Sequence, residues 1–203
     1  VTETFGYKRI NKISIKQLSK DGPKVVGSRI NLSCDCVGVS GGWTPAVHLF
    51  TQSGGKLKFR EEDQVFIPNF YPSNQLSIGS CNGDFTLDEI LMNTQKSLKE
   101  FLNIKNTEYE NLEILSSTNK SKRNIWLLPS DKVLGKTKSF VDYQNDATAK
   151  DIKLALREGF RSIEHVKRYT TTGMGTDQGK LVNMHALGII SETADAKMGE
   201  LGT

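Results

Sequence analysis

Cys34 and Cys36 stand two residues apart in the run Cys34-Asp35-Cys36. On an extended strand, residues i and i+2 share a face, so the two thiols would point the same way. A metal held there needs at least two more ligands. Cys81, His48, His165 and His185 offer no zinc-ligand spacing, so the cysteines read as buried, reduced thiols of a cytosolic protein. Two glycine turns suggest different chemistry. Gly41-Gly42 lies in Val39-Ser40-Gly41-Gly42-Trp43-Thr44-Pro45, and the second turn is Gly79-Ser80-Cys81-Asn82-Gly83. Glycine lets a backbone approach a ligand closely. A helix start behind such a turn offers unpaired N–H groups and a positive dipole end to a phosphate. Neither turn matches GxGxxG or a P-loop, and a purely structural strand-to-helix turn is the competing reading.

The elements that must position these residues follow from hydrophobic periodicity. Ile10, Ile13 and Ile15 alternate with polar residues. Asp21-Gly22 makes a turn, and Val25-Val26 leads into Arg29-Ile30-Asn31-Leu32, so the segment reads as a hairpin. Cys34–Ser40 reads as a short buried strand ending in the first glycine turn, like the carboxyl edge of an open α/β sheet, where such sheets bind ligands. Further strands are expected at Gln64–Ile67 and Gln75–Ile78. Thr86 and Glu89 form a capping box ahead of Leu87, Ile90, Leu91, Thr94, Leu98 and Phe101, which recur at helical spacing. Residues 103–137 are rich in Asn, Ser, Thr and Lys and read as a linker, with Ile125–Pro129 as an apolar anchor. Beyond it the pattern is helical. Thr148 and Asp151 form a second box before Ile152, Ala155 and Leu156, and Gly159 stops that helix. Ser162 is placed to cap a short helix to Tyr169. Gly173-Met174-Gly175 makes a loop, and a longer helix carries Met184, Leu187 and Ile190.

Composition narrows the function classes. With 203 residues, the chain fits one large domain or two small ones. Hydrophobic residues make up 36%, enough for a packed core and against wholesale disorder. The formal charge is +4, and the longest basic cluster is only Lys120 to Arg123. That argues against a nucleic-acid binder, which needs a clustered basic face and interleaved aromatics. There is no run of 18 apolar residues for a membrane span and no signal-peptide pattern at Val1–Thr4. The chain does not begin with Met and opens directly into a strand, so it is expected to be a piece of something longer.

Two stretches carry a resemblance. They are Phe140-Val141-Asp142-Tyr143-Gln144-Asn145-Asp146 and the run from Glu164 to Lys180, with its Thr170-Thr171-Thr172-Gly173-Met174-Gly175 centre. Together they closely resemble the α subunit of the bacterial heterotetrameric sarcosine oxidases over roughly residues 138–203. The two glycine turns are similar to those of the same subunit's NAD-binding domain. The helical part also resembles, more distantly, the small [2Fe–2S] domains of amine and opine oxidase subunits. Those domains carry cysteines where this chain has Asp142, Gln144, Asp177 and about Val182. Iron–sulfur clusters need thiolates, so the scaffold is expected without its cluster. Asp142, Gln144 and Asp177 are then free to pin loops by hydrogen bonds, or, as a rival reading, to bind a hard cation.

The resemblance implies a fold class of α/β plus α. Residues 1–103 would be part of a two-dinucleotide-binding, Rossmann-like domain, 104–137 a linker, and 138–203 a small helical domain. It implies a cytoplasmic oxidoreductase subunit. The family oxidises the N-methyl group of sarcosine with O2 to glycine and hydrogen peroxide, and the one-carbon unit passes to tetrahydrofolate. NAD would be held here by Gly41, Gly42, Gly79, Ser80, Gly83, Phe85 and Leu87. FAD and FMN are expected in a partner β subunit, folate in a downstream domain, and γ and δ subunits complete the assembly. No catalytic residue and no metal ligand is expected in this chain. The alternative is a non-catalytic, NAD-binding assembly module of a related amine or opine dehydrogenase complex. On either reading, His165 is structural or interfacial rather than a general base, and Lys167-Arg168 lie on a solvated helix face. Met174 is a packing residue, and Trp43 either stacks on a cofactor ring or fills the core.

Overall fold

The computed structural model describes residues 1–19, 24–72, 74–104, 124–130 and 138–202. It combines antiparallel sheet with helix. Two compact units are present, Val1–Val39 with Ile125–Thr203 and, separately, Ser40–Asn124.

The first unit begins with a three-stranded antiparallel sheet in the order β1 (Glu3–Gly6), β2 (Ile10–Leu18), β3 (Val25–Ser33). The expected hairpin is there, with Ile13 opposite Leu32 and Ile15 opposite Ile30. Its turn residues Asp21-Gly22 lie outside the described residues. Ser14 is fully buried, and its hydroxyl donates to Asn31 Oδ1 at 2.5 Å. Across the sheet from it, Arg29 pairs with Glu3 at 2.7 Å.

Ser40–Asn124 holds α1 (His48–Gln52), the hairpin β4 (Lys56–Arg60) and β5 (Val65–Phe70), a 3-10 turn at Gly79–Asn82, and α2 (Leu87–Leu102). Val65, Phe66 and Ile67 are buried, and Phe59 meets Phe66 edge-to-face at 5.0 Å. Gly55 has no room for a Cβ, because the Phe50 ring lies over it. The predicted capping box opens α2, with the Thr86 N–H donating to Glu89 Oε2 at 3.4 Å. Amphipathic as it is, α2 buries none of its residues.

The rest of the first unit holds β6 (Phe140–Asp142) and β7 (Ala147–Thr148), then α3 (Ala149–Arg157), α4 (Ile163–Thr170) and α5 (Asn183–Ala194). The Thr148–Asp151 box starts α3, with the Thr148 N–H donating to Asp151 Oδ2 at 2.8 Å. Gly159 follows α3 at φ +98°, a conformation that favours glycine. Ser162 sits at the N-cap of α4 but makes no capping hydrogen bond. Ile152, Ala155, Val166, Ala186, Ile189 and Ile190 form a dense core. The expected anchor, Ile125–Pro129, reaches α5: the Trp126 ring fills the place of a side chain at Gly188, and its carbonyl hydrogen-bonds His185 Nε2.

Several expectations are corrected. Cys34–Ser40 is not a buried strand. It is irregular and mostly exposed, and the last rung of the ladder is the Cys34 N–H to the Asn11 carbonyl at 3.2 Å. Gln75–Ile78 is also irregular, with no strand beside it among the described residues. The carboxyl edge of a parallel sheet is therefore absent there. Every described strand pair is antiparallel, because strands adjacent in sequence are joined by links too short for a crossover. The cysteines are not buried as a group: Cys36 is exposed, and Cys34 and Cys81 are half-buried. Trp43 is 84% exposed and fills no core. Met174, at 52%, is not a packing residue.

Candidate functional site

Two constellations stand out, one in each unit. The first is the turn before α2. Gly79 and Gly83 are both buried and both left-handed, at φ +68° and +87°. Between them the chain closes on itself, the Gly83 N–H reaching the Ser80 carbonyl at 3.1 Å and the Asp84 N–H the Gly79 carbonyl at 3.3 Å. Ser80 and Leu87 are exposed, and Phe85 is half-buried. A helix's first-turn N–H groups have no intrahelical partner, so the open side of this turn presents a hydroxyl and helix-start donors together. Gly41 and Gly42 lie in the same unit, exposed, in irregular chain, and a Cβ at either would meet nothing within 4 Å.

The other side of the turn is closed by residues that periodicity does not flag. Arg60, at the end of β4, donates through Nη2 to the Gly83 carbonyl at 2.6 Å. Its Nε donates to Asp63 Oδ1 at 2.8 Å, and Nη2 also reaches the second Asp63 oxygen. The hydrogen bond to Asp63 foremost, outweighing burial, holds the guanidinium pKa above its ordinary value, with the charges of Asp63, Asp84 and Glu62 adding to it. Asp84 is only 7% exposed, and one oxygen accepts from Asn93 Nδ2 at 2.8 Å. Its other oxygen is buried with no hydrogen-bond partner. The only sequence signal for Arg60 is a cation at a strand end. Its carbonyl partner lies 23 residues away and carries no side-chain signature.

The second constellation is the loop system of the helical region. Asp142 is buried at the end of β6. It accepts the Gly173 N–H at 2.8 Å, the Gln144 N–H at 2.9 Å, and the Asn145 N–H and Nδ2 at 3.2 and 3.0 Å. Burial is the strongest single influence and works against its charge. The hydrogen bonds from Asn145, Gly173 and Gln144 together prevail and hold its pKa below the ordinary carboxyl value. Gln144 Oε1 accepts from Thr176 N and Oγ1 at 2.9 and 2.7 Å, while its Nε2 donates to Asp177 Oδ1 at 3.2 Å. Asp177 in turn accepts from Gly179 N at 3.3 Å and Leu181 N at 3.1 Å. Gly173 and Gly179 pack against the Asn183 amide, where a Cβ would collide.

Asp142, Gln144 and Asp177 thus pin loops by hydrogen bonding, one of the two roles that the resemblance left open. With Val182 buried and aliphatic, this donor set does not fit an iron–sulfur cluster, which needs thiolates. No group of three potential metal ligands occurs among the described residues. His165 is exposed beside the Phe160 ring at 6.5 Å, and Lys167 pairs with Glu164 at 3.3 Å.

This Asp142–Gly173 loop system falls within a recognised domain, because residues 136–203 match the family model of the sarcosine oxidase A3 domain. The similarity extends beyond the A3 domain. The sarcosine oxidase subunit alpha of Rhizobium meliloti (strain 1021) is 32% identical over 182 residues, 87% of this chain and 18% of that protein. That of Corynebacterium sp. (strain P-1) is 29% identical over 212 residues, 100% of this chain and 21% of that protein. That of Corynebacterium sp. (strain U-96) is 31% identical over 84% of this chain. The chain therefore spans about a fifth of the length of these relatives. In fold it resembles the L-proline dehydrogenase of P.horikoshii, with a TM-score of 0.59 at 19% identity, covering 99% of this chain and 40% of that one. The A3 match and the alpha-subunit relatives bear out the resemblance read from Phe140–Asp146 and Glu164–Lys180. No helix among the described residues is long and apolar enough to cross a membrane.

Proposed function

We propose that this chain serves as part of the alpha subunit of a cytoplasmic sarcosine oxidase. The whole enzyme would oxidise the N-methyl group of sarcosine with O2 to glycine and hydrogen peroxide and pass the one-carbon unit to tetrahydrofolate. FAD and FMN would reside in a beta subunit and folate in a further domain, with gamma and delta subunits in the assembly. Within it, residues 1–103 would be the dinucleotide-binding part, 104–137 the linker, and 138–203 a cluster-less helical scaffold for subunit assembly. The observation that carries this reading is the A3 match joined to alpha-subunit similarity over most of the chain.

In this reading NAD lies on the open side of the Gly79–Gly83 turn. The fit rests on two features: exposed Ser80 and the first-turn N–H groups from Leu87 onward. Phosphate suits the helix start. Gly41, Gly42 and Phe85 would complete the walls. NAD would supply binding stability to the subunit, and the chain's residues would orient it and exclude water.

Gly83 is a poor probe of this reading, since a Cβ there would lie 2.7 Å from Arg60 Nη2 and 2.8 Å from Ile67 Cγ2 whether or not nucleotide binds. Gly41 faces open space and is the cleaner choice. In the purified native protein, with any partner subunits, Gly41→Val is expected to weaken NAD binding in equilibrium dialysis while leaving the melting temperature unchanged. Ser80→Ala is expected to cost about one hydrogen bond, roughly 0.5–1.5 kcal/mol. Wild-type protein that binds no NAD would overturn the reading.

A further inference from the structure

The start of α2 is only partly fixed by packing, with Ile90 beside Gly79 and Ile67 beside Gly83. None of the helix's residues is buried, and the turn leading into it has a left-handed glycine at each end, the most conformationally free backbone available. Gly79, Gly83 and Asp84 are buried, and two polar links hold them, one to the β4–β5 hairpin and one to α2. Arg60 grips the Gly83 carbonyl from β4 while Asp63 fixes the other edge of its guanidinium. Asn93, two turns into α2, grips Asp84. A guanidinium fork can serve a carbonyl and a carboxylate at once, whereas an ammonium is a point donor.

We propose that Arg60 is a positioning residue, which by joining the Gly83 carbonyl to Asp63 holds the Gly79–Gly83 turn with Ser80 and the start of α2 presented to a bound dinucleotide. This rests on the NAD reading above. Arg60 contacts the backbone carbonyl on the closed side of the turn and acts on the nucleotide only through it.

The test uses the native protein, with any partner subunits, as wild type, Arg60→Ala and Arg60→Lys. NAD affinity is measured by calorimetry, and amide exchange is followed across 79–89 with α5 amides as the control. Arg60→Ala is expected to raise the Kd for NAD about tenfold or more, the loss of a charge-assisted hydrogen bond, and to speed exchange at 79–89 but not in α5. Arg60→Lys is expected to fall between Ala and wild type, and added guanidinium ion to restore part of the affinity of Arg60→Ala. Should Arg60→Ala fail to fold, Arg60→Lys alone carries the reading. Faster exchange with unchanged affinity would overturn the proposal, as would weakened affinity with unchanged exchange. A wild type that does not bind NAD would overturn the dinucleotide reading and this proposal with it. The exchange data would then still report whether Arg60 holds the turn, so the two failures are distinguishable.

Discussion

The helices of residues 149–194 and the three-stranded sheet of residues 3–33 are built on opposite terms. Ile152, Ile189 and Ile190 are wholly or almost wholly excluded from solvent, and α3 packs against both α4 and α5. In the sheet, the cross-strand pairs Ile13–Leu32 and Ile15–Ile30 put apolar residues on one face, yet Ile30 remains 54% exposed and Leu32 43%. The one side chain the sheet buries fully is a serine. The same residue type therefore does different work in the two places. In the helices isoleucine fills a jigsaw, where a lost methylene leaves a void. In the sheet it supports local pairing worth only a fraction of that.

The sharpest way to break this comparison is a matched pair of truncations. Ile190→Ala is expected to destabilise the protein by roughly 3–4 kcal/mol, the transfer and cavity cost of an enclosed side chain. Ile30→Ala, the same chemical change, should cost below about 1 kcal/mol, because little of its surface leaves water. Urea denaturation of both variants gives the difference, and similar values would show that the sheet face is covered in solution.

A middle-sized effect is expected at Asp142, which ties β6 to the loop before Asp177. Asp142→Ala strands the Gly173 N–H in a buried position, with an expected loss of about 2–3 kcal/mol. The charge adds a pH signature. The folded pKa lies below the unfolded one, so the carboxylate's contribution is present above the unfolded value and is lost as pH falls through the folded one. The stability gap between wild type and Asp142→Asn should be flat near neutrality and close below about pH 4. A gap that closes instead near pH 6 would assign the effect to another group. Gln144 is exposed, although it bridges Thr176 and Asp177. Gln144→Ala should cost about 1 kcal/mol or less in the same assay, the smallest of these effects and a measure of how far the loop depends on its buried anchor.

Much of the helical region was legible in the order of its residues. The two capping boxes, Thr86–Glu89 and Thr148–Asp151, are local devices whose partners lie three residues apart, and both form as read. The same holds for Gly159 after α3, and for the paired strands β2 and β3. The roles of Asp142, Gln144 and Asp177 were legible for another reason. Their side chains occur where a related scaffold would need ligands, and without thiolates they were left to hydrogen-bond or to bind a hard cation, of which the structure shows the hydrogen bonds. Reading failed at Cys34–Ser40 and Gln75–Ile78. An apolar run is consistent with a strand but does not supply the neighbour that a strand must pair with.

The sequence by itself determined the elements whose causes are local: helix starts, helix stops, the two strands of the hairpin and the polar identity of the A3 loops. Only the tertiary structure decided which surfaces those elements bury. It left the apolar stripe of α2 only half-buried at Ile90, Leu91 and Leu98 and laid Trp126 over Gly188. It also brought Arg60 to the carbonyl of Gly83, 23 residues on. A backbone carbonyl has no letter in the sequence, and the donor that will find it is chosen by the path of the chain through space.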